Sequence, residues 1–192
     1  MATNNILLKQ GATQILFADH ATDFGAAPAT AANSLIVGTP TDVQIDLTGV
    51  AATGGARESA KVDLGATRAE LYELMACIEF ESAPADGGNV FFYWAPSPSS
   101  AAATGNPGGA TGSDAAYTDS VGKLGQLELI GTLTTRNTVL NIGLVDVFTP
   151  SNRYGSLIIV NQASTALRST ATAMDETHAV LSPVVTEIQA AA

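Results

Sequence analysis

A chain of 192 residues can build one core that buries about two-thirds of the surface its unfolded form exposes, so one domain over residues 1–192 is the expectation. It is 46% hydrophobic but only 6% aromatic, with much alanine in the apolar count, so the core must rest on Leu, Ile, Val and a few rings. The net charge is −10, and Lys9, Arg57, Lys61, Arg68, Lys123, Arg136, Arg153 and Arg168 are scattered singly, which argues against the clustered cations of a nucleic-acid partner.

Charged residues make up 14%, well under the roughly 25% usual for globular domains, which predicts a neutral-polar surface. Such a surface suits a protein packed against neighbours, because fewer charges are desolvated at a contact. The lone Cys77 excludes an intrachain disulfide and reads as a buried small hydrophobe. The stretch Met1–Lys9 shows no basic region followed by an apolar run, and no segment has the length of a membrane span, so a soluble chain with no membrane partner is expected.

In chain order, short apolar runs between Gly, Pro, Asn and Asp predict an all-β, antiparallel sandwich of about ten strands with long loops. The first are Ile6–Lys9 and Gln14–Ala18, split by Gly11, then Leu35–Gly38 and Asp42–Leu47, split by Thr39-Pro40. An Ala/Thr-rich loop separates the two pairs. From Glu70 to Glu81, Tyr72, Leu74, Ala76, Ile78 and Phe80 alternate at period two, which favours a strand. A helix competes there, since Thr67 and Glu70 can form a capping box and Leu71, Leu74, Met75 and Ile78 fall at helical spacing. Asn89–Trp94 follows as a hairpin partner across Pro84–Gly88.

Residues at about 96–116 offer almost nothing to bury and predict a long exposed loop. Loops of that length are usually functional or disordered, so it either reaches a neighbouring subunit or stands without a partner. Further strands are predicted at Gln126–Thr134, Val139–Val147, Leu157–Asn161 and Thr177–Glu187; Pro183 cannot donate to a ladder and predicts an edge strand or a bulge.

Chemistry is thinly supplied. The clusters resembling ligand sets are Asp19-His20 with Asp23 and Asp175-Glu176 with His178, and neither shows a helical His-Glu-x-x-His arrangement or a Cys pair at zinc spacing. No Gly-x-Ser-x-Gly elbow occurs, and the glycines at 105, 108, 109 and 112 precede no Gly-Lys-Ser/Thr. The expectation is a non-enzyme with no catalytic residue, cofactor or metal; a hydrolase would instead need a cleft holding His20 or His178. Phe91, Phe92, Tyr93 and Trp94 form the densest aromatic patch, and a glycan site at Tyr93 or Trp94 is the alternative ligand reading, although alternate residues of a strand face opposite ways.

Val90-Phe-Phe-Tyr-Trp-Ala-Pro-Ser-Pro-Ser99, Asn106-Pro-Gly-Gly109 and Gly112-Ser-Asp-Ala-Ala-Tyr117 resemble a segment of small virion proteins of tailed phages. Arg153-Tyr-Gly-Ser-Leu-Ile-Ile-Val-Asn161 and Leu181-Ser-Pro-Val-Val-Thr-Glu-Ile-Gln189 are similar to the C-terminal end of the same group, so the likeness covers residues 70–189. The resemblance implies a jelly-roll-like sandwich, assembled in the host cytoplasm and resident in the virion. Within a particle, the acidic balance and small size fit a decoration or cement protein that binds the major capsid protein or other virion proteins. It would act as a homo-oligomer, a trimer suiting local three-fold positions. The alternative is a head-fibre, tail or collar protein binding a host surface glycan. The protein contacts are expected at Ile6, Leu7 and Leu8 of an N-terminal arm and at Pro98, Asn106, Pro107 and Tyr117 of the loop.

Overall fold

Alternating apolar residues build the centre of the molecule. In the computed structural model, which describes residues 5–10, 13–20, 34–118, 121–169 and 177–189, Tyr72, Leu74, Ala76, Ile78 and Phe80 all enter the core from one strand and the residue after it. A helix would bury Leu71 and Met75 beside Leu74. Instead Leu71 is 37% exposed and Met75 half-buried, because a period of two sends them to the other face.

Among the described residues the elements are β1 (Asn5–Gln10), β2 (Ile15–Ala18), β3 (Thr41–Gln44), β4 (Gly55–Glu58), β5 (Val62–Asp63), β6 (Leu71–Glu79), β7 (Asn89–Ser97), β8 (Ala115–Ala116), α1 (Val121–Leu124), β9 (Glu128–Thr134), β10 (Leu140–Phe148), β11 (Tyr154–Asn161) and β12 (His178–Gln189). They form two sheets. One runs β10-β6-β12-β2-β3, with β1 also paired to β12; the other runs β8-β4-β11-β7-β9, with β5 also paired to β11. All pairings are antiparallel except the parallel β2–β3.

The sheets pack face to face as a β-sandwich. Phe17, Leu74, Ile78 and Leu181 from one sheet share a buried cluster with Phe92, Trp94, Leu157 and Ile159 from the other. Full burial of a side chain of this size stabilises by about 1.5–3 kcal/mol, so these residues dominate the fold. Bulges interrupt β9 opposite Phe92/Tyr93 and β10 at Leu144/Asp146, which increases the local twist of both strands.

Four expectations change. Asn89–Trp94 is not the hairpin partner of 70–81: β7 lies in the opposite sheet, and residues 80–88 cross the sandwich so that the apolar faces of β6 and β7 meet. Leu35–Gly38 forms no ladder, its backbone being held by side chains instead. β4, β5 and β8 appear where no strand was expected; Gly55-Ala-Arg-Glu58 has no alternating pattern and is extended because it pairs with β11. Pro183 lies in an interior strand, but pairing of β12 with β2 ends at Leu181 and that with β1 begins at Val184, so proline falls in the gap between these two neighbours.

Candidate functional site

Buried polar groups of β4 and the turn after it organise the long loop. Glu58, almost fully buried, accepts hydrogen bonds from the Thr111 N–H at 2.7 Å, the Thr111 hydroxyl at 3.1 Å and the Gly112 N–H at 2.5 Å. Three residues on, the Lys61 ammonium donates to Ser97 Oγ at 2.9 Å and to the carbonyls of Ser99, Ala101 and Thr104 at 3.1, 2.7 and 3.0 Å. Three N–H groups thus serve four oxygens. Burial pushes the Lys61 pKa below its ordinary value, while the nearby Glu58 charge opposes the shift.

The far end is tied as firmly. Asp114 accepts from Arg57 Nε at 2.8 Å and from the Asp46 N–H at 3.0 Å, and the Tyr117 hydroxyl donates to the Gly108 carbonyl at 2.5 Å. Gly112 sits at φ +72°, where a Cβ would lie 3.0 Å from the Ala102 carbonyl carbon and nearer still to its oxygen, so the two arms of the loop meet only because no side chain intervenes. Beneath the loop, Tyr117, Leu127 and half-buried Ala110 and Leu124 cover the outer side chains Ala95, Ile158 and Val160 of the second sheet. The loop is therefore exposed along most of residues 98–105 yet fixed to its own body at both ends.

The outer face of the first sheet is covered unevenly. A strap at residues 34–37 lies over Leu16, Ala18 and Val180 through its own Leu35 and Ile36. Gln14 Oε1 accepts from the Val37 N–H at 2.6 Å, Gln14 Nε2 donates to the Leu35 carbonyl at 3.3 Å, and His178 Nε2 accepts from the Leu35 N–H at 3.2 Å. At the opposite edge, Ile142, Leu144 and Val147 of β10 are 43, 54 and 41% exposed. They pair in register with Cys77, Met75 and Glu73 of β6, which places all three on this outer face. A cleft of about 330 Å³ opens at the end of the sandwich among Thr13, Thr41, Arg68, Tyr72 and Pro183.

The residues singled out from sequence are dispersed. Pro98 is exposed, and Asn106 and Pro107 half-exposed, on the long loop, but Tyr117 is buried beneath it and is an internal anchor. Ile6, Leu7 and Leu8 lie in β1, paired with Ile188, Glu187 and Thr186. Trp94 is wholly buried between the sheets and presents no face to a sugar, whereas Tyr93 points to the other side and is half-buried against the loop, its phenol pKa raised by burial. His20 stands 3.7 Å from Asp42 across its Nδ1, with Asp19 accepting from Gln44 Nε2 at 2.6 Å; Asp23, Asp175 and Glu176 lie outside the described residues.

Among the described residues, no group of three or more His, Cys, Asp or Glu side chains is placed to hold a metal ion, and no helix is long and apolar enough to cross a membrane. The organising residues Glu58, Lys61 and Asp114 were not expected from sequence. Nothing in the sequence ties Glu58 and Lys61, some 40 to 50 residues upstream, to this loop; a charged Arg57-Glu58-Ser-Ala-Lys61 cluster in a chain poor in charge was the available signal. The molecule is thus a β-sandwich with one loop-covered face and one face left partly apolar. No protein-family model matches the chain, and no curated protein matches it significantly.

Proposed function

We propose that this chain is a structural, non-enzymatic module that works by assembling with other protein chains, as a component of a tailed-phage particle. Its leading role is as a decoration protein bound to the major capsid protein on the outer capsid, in homo-oligomeric form. The observation that carries the assembly reading is the apolar row Ile142, Leu144 and Val147, exposed on an edge strand. Uncovered apolar edges attract other chains, and proteins that stay alone usually blunt them with charge. Charged residues make up only 14% of the chain, which lowers the general cost of desolvating its surface at a contact.

The strand order supports a jelly-roll reading. Taking β2, β4, β6, β7, β9, β10, β11 and β12 as first to eighth, one sheet holds the sixth, third, eighth and first, and the other the second, seventh, fourth and fifth. That is the order of two intertwined Greek keys, an architecture that viral capsid domains use, and the support it lends is by analogy of fold. The particle reading itself rests on the sequence resemblance over residues 70–189.

Quantitative mass spectrometry of purified particles tests it, with this chain's copy number set against that of the major capsid protein. Hundreds of copies are expected for a decoration protein. A handful would move the chain to tail, collar or fibre, and its absence would overturn the particle reading.

A further inference from the structure

One end of the sandwich holds a hollow between the sheets. On the first sheet the register sets Ile15 beside Thr41 and Pro183 opposite Tyr72, and all four line it. The chain leaves the second sheet after β5 and crosses to β6 through residues 64–70, turned by Gly65 at φ +90° and anchored by buried Leu64. Between this crossing and the strand ends lies the cleft of about 330 Å³. Small-ligand sites span about 300–1,000 Å³, so its occupant is a small molecule.

The side chains that line it have donors to spare. Tyr72 is 3% exposed and its hydroxyl accepts from the Ala69 N–H at 3.3 Å, yet among the described residues that hydroxyl donates to nothing. Burial pushes the phenol pKa up against the opposing Ala69 N–H and Arg68 charge, so the hydroxyl keeps its proton at neutral pH. Arg57, Arg153 and Arg168 each meet a carboxylate, whereas Arg68, among the described residues, reaches only the Ser151 carbonyl at 3.5 Å. Asp63 at the rim is matched by the two hydrogen bonds it takes from Arg153, which leaves Arg68 as the uncompensated charge of the lining.

We propose that this cleft binds a small organic monocarboxylate, its carboxylate held by the Arg68 guanidinium and the Tyr72 hydroxyl and its apolar body against Ile15, Leu64 and Pro183. A carboxylate accepts only, which suits donors without acceptors, and hydrogen bonds to it from a guanidinium are about twice as strong as neutral ones. One uncompensated cation matches one negative charge; a dianion such as phosphate would carry a second charge, unmatched, beside Asp63. The walls select the body. An inorganic anion gains nothing from Ile15, Leu64 and Pro183, while each methylene buried against them strengthens binding by about fourfold.

The inference goes beyond the assembly reading and stands or falls apart from it. Amide chemical-shift titrations of the full chain test it, with sodium pentanoate, sodium acetate, neutral pentanamide and sodium phosphate at one ionic strength. Pentanoate is expected to give saturable shifts centred on residues 64–72 and to bind more than about tenfold more tightly than acetate, from three further methylenes. Pentanamide and phosphate should leave those residues unmoved at the same concentrations. Arg68→Gln should weaken pentanoate at least about tenfold, Arg68→Lys should restore part of the loss, and Tyr72→Phe, which keeps the ring in the core, should weaken it several-fold. Trp94 emission, read from inside the sandwich, reports that each variant is folded. The proposal is overturned by a chain that shows no saturable pentanoate shift, by an Arg68→Gln protein that binds as the wild type does, or by pentanamide or phosphate binding as tightly as pentanoate.

Discussion

Gly155→Ala probes a very close contact inside the sandwich. Gly155 lies on β11 between Pro96 of β7 and Val62 of β5, with the Trp94 indole directly over its Cα. A Cβ there would stand 2.8 Å from Trp94 Nε1 and closer still to Cζ2 and Cε2, inside the 3.0 Å that real Cβ contacts essentially never breach. The indole cannot withdraw, being fully buried with the Phe148 ring 6.1 Å away, and β11 is held by strands on both sides. Among the described residues its Nε1 finds no hydrogen-bond partner, so close packing is what seats the ring.

Overpacking a close-packed core costs about 1–3 kcal/mol and sometimes more, and a rigid ring against a paired strand belongs at the top of that range. For a chain of this length about 3 kcal/mol lowers Tm by roughly 6–12 °C. Thermal and urea unfolding read by Trp94, the single tryptophan, measure the loss, and the native emission should change because the ring itself is displaced. Gly125→Ala is the control, since its Cβ would meet only the Gly122 carbonyl oxygen, at 3.7 Å. A Gly155→Ala protein that melts with the wild type and keeps its emission would refute this account of the core.

Lys61→Met removes the four contacts that close residues 97–104; hydrogen bonds to a charged donor are worth about 1.5–3 kcal/mol each when buried, and less at this half-exposed site. Limited proteolysis should then cut within 98–105 several-fold faster, and an unchanged rate would show the loop is held by other means. Asp63 receives two hydrogen bonds of 2.6 Å from Arg153, which hold its pKa below 3.8. A depressed carboxylate pKa contributes stability above the ordinary value that is lost as pH falls through the folded one, so Asp63→Asn should cost under about 1 kcal/mol at pH 7, with the gap closing below pH 3.8. Cys77, buried and the single cysteine, should react with a thiol reagent at the rate of global unfolding, and rapid reaction in native buffer would contradict its burial.

The strands readable from sequence were those whose pattern the sandwich itself imposes. The five-position alternation in β6 survived because one face of that strand meets the core and the other does not. β11 and β2 showed continuous apolar runs for the opposite reason: the long loop covers the outer face of one and the strap at 34–37 that of the other, so both faces are buried. Partner choice was not readable, because a period of two marks which residues face inward and not which strand lies alongside. The expected β6–β7 hairpin failed on that point, since nearness in sequence favoured an arrangement that would have left both apolar faces without a partner.

The loop makes the same distinction at the scale of the site. Its composition signals that nothing in residues 98–114 builds a core, which by itself implies either freedom or an external partner. What holds it is polar and distant: Glu58 and Lys61, some 40 to 50 residues upstream, supply a carboxylate to its N–H groups and an ammonium to its carbonyls. Both charges sit in one short charged stretch, Arg57-Glu58-Ser-Ala-Lys61, and acquire meaning only when β4 pairs with β11 and brings the turn after it against the loop. A loop of small residues fixed in this way offers a partner a surface whose ordering entropy is already met by the chain's own folding, which favours rigid docking over coupled folding at this end of the molecule.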